Sequence, residues 1–310
     1  MSESCQVDLS IIIVSWNVCR LLKQCLYSIR DSINPEVKYE VIVVDNHSSD
    51  DSVSMIKTEF PKVRLICNSD NLGFAKATNQ GINLSRGKYV LLLNPDTRLY
   101  EGAVDNMFSF LEANPSVGMV GPYMEGYDVI TRHDFFNHIS LKGCIFGSTI
   151  LGIIPPLMKK RGNSLASFNE PVAVESLIGA CLLVRREVIR QVGLLDEDYF
   201  MYLEDADWCY RIRKAGWLLY YLPSATIYHH GGQSVAQVPV KMYVAIRKSR
   251  VLFLLKHRSR FEAILLSIGY TVNSACKVLL GDKNNKQTFQ QAASEFLSTT
   301  LALFAARSKL

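Results

Sequence analysis

Apolar and polar positions follow two alternating rhythms over the first hundred residues. Residues 9–16 (LSIIIVSW) are a short β-branched run of the kind that forms a buried strand. Leu21, Leu22, Cys25, Leu26 and Ile29 then recur at helical spacing and predict a helix over 17–30 with one buried face. A second strand is predicted within 39–52 (YEVIVVDNHSSDDS), ending in a polar cluster suited to cap the next helix. Met55, Ile56 and Phe60 mark that helix, and Pro61 stops it. A third strand (63–68), a helix (73–85) and a fourth strand (88–94) complete the series. Strands alternating with helices predict an α/β fold, its sheet mainly parallel and covered by helices on both faces.

Beyond residue 124 the rhythm breaks. Residues 125–171 mix aromatics, Gly and Pro and are expected to form a variable excursion facing an acceptor or a membrane. Regularity returns with a strand or two and a short helix over 174–193, then a turn and a helix ending at Gly216. Residues 217–234 predict a strand, a Pro-containing turn, a second strand and a Gly-rich loop. From Val235 onward the pattern is helical. The expected division is therefore a catalytic-type domain over 1–235 and a basic, amphipathic helical region over 236–310.

The strand ends carry the chemistry. In a parallel α/β sheet the ligand crevice lies beyond the carboxyl ends of the strands. Polar residues stand at or near four such ends: Asn17, Asp45 with Asn46, Asn71, and Asn94-Pro95-Asp96. The run VLLLNPDT is the sharpest case, because a buried strand leads directly into a carboxylate that is costly to bury unpaired. Asp96 must emerge into a crevice or meet a cation.

Several chemistries are excluded by what the chain lacks. It has no G-x-G-x-x-G after the first strand, no G-x-x-x-x-G-K-[ST], no H-E-x-x-H and no G-x-S-x-G. A crevice lined by Asp and Asn without phosphate-wrapping glycine loops needs another counter-charge for phosphates. A divalent cation on carboxylate oxygen supplies it, since Mg²⁺ and Mn²⁺ favour oxygen ligands and bridge substrate phosphates. Asp96 is the ligand candidate, with Asn94 adding an oxygen or holding a ribose or phosphate. The alternative is a plain strand-ending turn. Asp196-Glu197-Asp198 and Asp205-Ala206-Asp207 compete less well, the first as a turn, the second because i and i+2 side chains diverge on a helix. His229, opening a Gly-rich loop after a strand, is either a further metal or phosphate contact or a structural histidine; His230 shares that position. Glu204 and Asp205 follow an aromatic run at a helix start. They either complement the helix dipole or supply a general base held against apolar walls. Asp207 and Arg211 (i, i+4) are expected to pair on the helix surface.

Composition refines this picture in two places. The eight cysteines make no C-x-x-C pair and no secretory leader precedes the first strand, so reduced thiols and a cytoplasmic location are expected. The net charge of +5 is uneven: no Asp or Glu occurs from Trp208 to Phe261, while Lys241, Arg247, Lys248, Arg250, Lys256, Arg258 and Arg260 cluster there. That pattern suggests an anionic membrane surface or a polyanion, against a simple solvated helix face. Residues 143–158 and 263–276 are apolar but too short to span a bilayer.

The segments SIIIVSWNVCRLLKQCLYSI, VIVVDNHSSDDS, NLGFAKATNQGI, LLLNPDT, the stretch 177–217 and HHGGQS occur in one order across about Ser10–Ser234. Together they resemble the inverting family-2 glycosyltransferases with the GT-A fold, most closely the rhamnosyltransferase-like branch. The resemblance implies that Asp45 bonds the nucleotide base with Asn17 and Asn46 nearby, and that Asn71, Gly73, Phe74 and Asn79 line the nucleotide and donor-sugar pocket. It places Asn94 and Asp96 at the family's metal motif, usually two Asp, so that one strong anionic ligand for Mg²⁺ or Mn²⁺ remains. His229 matches a position that completes the metal site, and Asp205 matches the catalytic base, with Glu204 beside it. The implied reaction moves a sugar, with dTDP-rhamnose the favoured donor, from a nucleotide diphosphate to a hydroxyl of a glycan or polyprenyl-diphosphate-linked acceptor. The implied setting is cell-surface polysaccharide assembly at the inner membrane face, with no nucleic-acid partner. The alternatives are a degenerate nucleotide-sugar-binding protein and a nucleotidyltransferase, the latter lacking its early Gly- and Arg-rich phosphate loop.

Overall fold

Val90, Leu91, Leu92 and Leu93 are all buried, as their unbroken apolar run requires. Each contributes about 2 kcal/mol by leaving water. They belong to β4 (Tyr89–Leu93), a central strand of a computed structural model that describes residues 7–126, 169–232, 237–280 and 286–305. The first strands are β1 (Leu9–Ser15), β2 (Tyr39–Asp45) and β3 (Arg64–Cys67). They alternate with α1 (Cys19–Ser32), α2 (Ser52–Glu59) and α3 (Phe74–Leu84). Then come β5 (Thr97–Leu99), α4 (Ala103–Ala113), β6 (Val117–Glu125), β7 (Val172–Ala173), β8 (Cys181–Arg185), α5 (Arg186–Val192), α6 (Glu204–Lys214) and β9 (Leu218–His229).

The strands form one mixed sheet in the order β3-β2-β1-β4-β8-β6-β9-β5, with β7 pairing β9. The β3-β2-β1-β4 half is parallel, β8 inserts antiparallel between β4 and β6, and β6 runs parallel to β9. The excursion predicted over 125–171 and the apolar run 143–158 fall almost wholly outside the described residues. One expectation is corrected: residues 217–234 do not form two strands about a turn. Leu218–His229 is a single strand whose register to β6 jumps from Pro122↔Leu222 to Tyr123↔Thr226. Pro223 lacks an N–H for the ladder, and the bulge absorbs it without ending the strand.

Asp50 shows how the polar loop after β2 is used. One carboxylate oxygen accepts the Cys19 N–H at 2.8 Å at the start of α1; the other accepts Ser52 N–H and Oγ at the start of α2. One side chain thereby satisfies orphan donors of two helices.

Chain contacts separate a second unit, made chiefly of residues 238–310. It holds α7 (Pro239–His257), α8 (Arg260–Leu280) and α9 (Lys286–Ala305). Their core comprises Val244, Val251, Leu254, Ala263, Leu266, Tyr270, Ala292 and Phe296. The basic residues of α7 are partly engaged within it: the Arg247 guanidinium lies 3.5 Å from the Tyr243 ring centroid, and Lys248 pairs Glu295 at 2.7 Å. No helix among the described residues is long and apolar enough to cross a membrane.

Arg185, at the end of β8, is buried and donates to the carbonyls of Val117, Leu111 and Asn114 and to the Tyr89 hydroxyl. It thus satisfies the last carbonyls of α4. Arg185→Leu removes four hydrogen bonds, leaving the Leu111 and Asn114 carbonyls only the Asn114 and Val117 N–H groups, and is expected to cost about 3 kcal/mol, read as a lowered midpoint in denaturant unfolding.

Candidate active site

The chain winds from β1 outward to β3, then returns to lay β4 on the other side of β1. The crevice of such a sheet opens at that switch, beyond the carboxyl ends of β1, β2 and β4. Asp45 ends β2 and is only 2% exposed. Its Oδ1 accepts the Ser48 N–H at 2.9 Å, while its buried Oδ2 has no hydrogen-bond partner. A buried acceptor in this state favours a ligand that brings an N–H or O–H.

The asparagines around Asp45 are mostly occupied by the protein itself. Asn17 adopts the left-handed conformation (φ 53°), which Asn tolerates better than most residues. Its Oδ1 accepts the Ser49 N–H at 2.7 Å and its N–H reaches Ser48 Oγ at 2.9 Å, tying the β1 loop to the β2 loop. The Asn46 amide donates to Asn71 Oδ1 and the Gly73 carbonyl, and its oxygen accepts from Asn68 and the Leu72 N–H. Asn79 bonds both the N–H and the carbonyl of Leu195, and donates to Glu197. Gly73 has φ +84°, and a Cβ there would lie 2.4 Å from the Phe200 carbonyl oxygen, to which the Phe74 N–H donates at 2.8 Å. Asn46, Asn71, Gly73 and Asn79 are therefore held in place by bonds within the protein.

At the end of β4, Asn94-Pro95-Asp96 forms a stapled turn. Thr97 Oγ1 donates to the Asn94 carbonyl at 2.7 Å, and the buried Cys25 thiol lies 3.6 Å from the same oxygen, its pKa pushed up to about 12 by burial. The Asn94 N–H donates to the Ala180 carbonyl, linking the turn to the residue before β8. The end of β9 fixes Asp96 twice. The His230 N–H donates to its carbonyl at 3.0 Å, and His229 Nε2 stands 3.3 Å from its Oδ1. Neighbouring ligands on one octahedral ion with bonds of about 2.1 Å stand about 3 Å apart. Asp96 and His229 thus fit a shared divalent cation. Among the described residues no group of three or more His, Cys, Asp or Glu is arranged around a metal. Such an ion would keep most of its positions for water or substrate oxygens, the usual state of Mg²⁺.

His230 turns to the other face with its ring on Tyr228, 4.8 Å between centroids. With Arg98, Tyr27 and Gln24 these two line a cavity of about 510 Å³ beside Asp96. The sequence did not single out Arg98 or Tyr228; the signal available was strand alternation opposite His229.

Asp205 lies in the first turn of α6. Its Oδ2 accepts the Gly179 N–H at 2.8 Å and its Oδ1 the Ala206 N–H at 2.7 Å. Burial nonetheless holds its pKa above the ordinary Asp value. Glu204 is buried, its Oε2 has no partner, and burial together with the Asp205 charge pushes its pKa well above the ordinary range. Of the pair, Asp205 is the carboxylate that ionises first. Tyr202 and Leu203 just before them are left-handed (φ 69° and 67°), a conformation that costs about 1–3 kcal/mol each and clusters at functional sites. The expected surface pair of Asp207 and Arg211 is corrected: Asp207 is 1% exposed and bonds Arg211 Nε at 2.7 Å, while that guanidinium also donates to the carbonyls of Val192 and Leu194. The pair anchors α6 internally.

The glycosyl transferase family 2 model matches residues 10–193. The chain belongs to that family. It is 32% identical over 267 residues to the N-acetylglucosaminyl-diphospho-decaprenol L-rhamnosyltransferase of Mycobacterium tuberculosis, covering 81% of this chain and 85% of the relative. It is 23% identical over 299 residues to the dTDP-rhamnosyl transferase RfbF of Shigella flexneri, covering 88% and 94%. Among solved structures, the mannosyltransferase PcManGT of Pyrobaculum calidifontis, in complex with GDP-Man and Mn2+, superposes with a TM-score of 0.57 at 16% identity, covering 97% of this chain and 85% of that one. S. aureus TarS with UDP-GlcNAc gives 0.55 at 15% identity, covering 94% and 81%. This glycosyltransferase therefore has the expected GT-A fold.

Gly179 is a further residue that sequence reasoning passed over. A Cβ there would stand 3.2 Å from Asp205 Oδ2. Gly179→Ala is expected to lower kcat by about tenfold or more by displacing that carboxylate, with the donor KM little changed in steady-state assays. Glu204→Gln imitates the protonated acid and is expected to keep most turnover. In the wild type, Glu204's raised folded pKa gives a contribution complete below its unfolded pKa of about 4.3, lost as pH rises towards the folded value. The variant escapes that loss, so its Tm advantage over wild type grows with pH; a constant Tm difference would refute the assignment.

Proposed function

We propose that this glycosyltransferase is an inverting enzyme that moves a sugar, rhamnose from dTDP-rhamnose, onto a hydroxyl of a polyprenyl-diphosphate-linked glycan in cell-surface polysaccharide assembly. The observation that carries the reading is the Asp96–His229 pair, 3.3 Å apart at the ends of β4 and β9. It offers a two-ligand cation seat at the mouth of a crevice whose other wall presents the unpartnered Asp45 oxygen. The donor sugar and the acceptor class rest on the two rhamnosyltransferase relatives.

Asp45 takes a donor hydrogen of the nucleotide base. Asn17, Asn46, Asn71, Gly73, Phe74 and Asn79 shape the nucleotide and sugar pocket, and the Asn94 side chain adds a polar contact at the phosphate end. Asp205 accepts the proton of the acceptor hydroxyl, whose oxygen attacks the anomeric carbon as the bond to the diphosphate breaks on the opposite face. One displacement inverts the anomeric centre. The raised pKa of Asp205 makes it a stronger base than an ordinary aspartate. Glu204, kept protonated, prevents a second negative charge beside the base. Asp96 and His229 would hold a divalent cation, Mg²⁺ or Mn²⁺, which would supply electrostatic neutralisation of the departing diphosphate. Peripheral attachment at the inner membrane face belongs to the same reading.

The test is a panel of nucleotide sugars assayed for transfer and hydrolysis, with and without Mn²⁺ or Mg²⁺. Turnover of dTDP-rhamnose is expected, abolished by chelation and by Asp96→Ala. Asp205→Asn is expected to lower kcat by about 10²–10⁴ while donor binding persists. Wild-type activity should decline as pH falls through an apparent pKa above about 3.9, the ordinary aspartate value. Consumption of a different sugar nucleotide would overturn the donor assignment, and turnover that survives Asp96→Ala would overturn the cation seat.

A further inference from the structure

Among its described residues, the helical unit of residues 238–310 exposes large apolar side chains on α8 and α9. Phe261, Leu265, Ile268, Val272 and Leu279 on α8 are 70, 38, 39, 43 and 81% exposed, and Leu297 and Leu301 on α9 are 51 and 59% exposed. At about 100° per residue the five α8 positions fall within an arc of about 60°. They form a stripe about 27 Å long at 1.5 Å per residue. The opposite side of α8 carries Ala263, Leu266 and Tyr270, which are buried in the bundle core. The helix is thus apolar on two faces, and its bundle covers only one. Leu297 and Leu301, four residues apart on α9, repeat the pattern.

The charge of the same unit says what suits the uncovered face. Its described helices hold eight lysines and arginines and two carboxylates, Glu262 and Glu295. Glu295 is paired with Lys248, and Glu262 Oε2 is buried. The basic side chains of Lys256, Arg258 and Arg260 precede Phe261 in the chain, and Lys277 lies two residues before Leu279. A second copy would bring like charge against like charge. A surface that is apolar below and negative at its boundary matches both features.

We infer that the Phe261–Leu279 stripe, with Leu297 and Leu301, is the docking face of this enzyme for an anionic lipid bilayer. It lies at the interface rather than across it. The inference rests on the proposed lipid-linked acceptor, and it names the surface that meets the lipid: the outer side of α8 and α9. The sequence put its weight on the basic segment 241–260, whose Val251, Phe253 and Leu254 are buried, and offered 263–276 on α8 only as a short apolar run.

The test is co-sedimentation of the full chain with vesicles of phosphatidylcholine alone or mixed with phosphatidylglycerol. Binding is expected on the mixed vesicles and is expected to weaken at high ionic strength. The triple variant Leu265→Ser, Ile268→Ser, Val272→Ser changes exposed side chains only and is expected to keep its helical circular dichroism and its donor hydrolysis. Its vesicle binding is expected to fall about tenfold or more. Unchanged binding by the folded triple variant, or no vesicle binding by the wild type, overturns the inference. So does a wild-type dimer in light scattering that the triple variant abolishes, since the face would then be a contact between copies. Wild-type donor hydrolysis in the absence of vesicles reads the catalytic proposal separately: a wild type that hydrolyses donor but binds no vesicles overturns the docking face alone, and one that binds vesicles but hydrolyses no donor overturns the catalytic reading alone.

Discussion

Burying a carboxylate costs several kcal/mol unless donors or a cation meet it, and this protein buries several at one end of one sheet. Asp45, Asp96, Glu204 and Asp207 are all nearly inaccessible to water. Asp207 is neutralised by Arg211, whereas Asp96 faces His229 across the proposed cation seat. Asp45 and Glu204 each keep one oxygen without a partner. The contrast separates scaffold from site. Where the chain needs a carboxylate for stability it supplies the cation itself, and where it leaves an oxygen waiting, substrate or a proton completes it.

The scaffold serves that arrangement by using amides as struts. Asn17, Asn46 and Asn79 bond loop to loop, and Asp50 caps two helices at once. Each strut holds a strand-end loop whose backbone would otherwise lack partners. The same loops present Asp45 and the Gly73 turn to the crevice. Arg185 does comparable work at the opposite end of β8, where it gathers the carbonyls that close α4. These loops are therefore tied by hydrogen bonds within the protein itself, which would reduce the ordering that binding of a ligand requires.

The acid pair on α6 shows how the local environment assigns roles. Glu204 and Asp205 are adjacent in sequence and chemically alike. Asp205 receives two backbone N–H groups, whereas Glu204 Oε2 receives none. The N–H bonds favour the ionised form of Asp205, and burial with a neighbouring charge favours the protonated form of Glu204. The left-handed residues Tyr202 and Leu203 turn the backbone into this helix start.

Periodicity by itself determined the strand and helix order through Leu93, because buried strands and one-sided helices impose different spacings of apolar residues. It also brought Asp45, Asn94 and Asp96 to strand ends, since a run such as VLLL can only lead a polar residue to its edge. Only the tertiary structure decided which of these polar groups are engaged. The bonds of Asn46 and Asn79 span 22 to 118 residues of chain, and no local pattern records such partners. It also joined the halves of β9 across Pro223, buried Asp207 beside Arg211, and set Gly179 against Asp205. The exposed stripe on α8 is the plainest instance. Both of its faces are apolar in sequence, and only the packing of the bundle determines which one is covered.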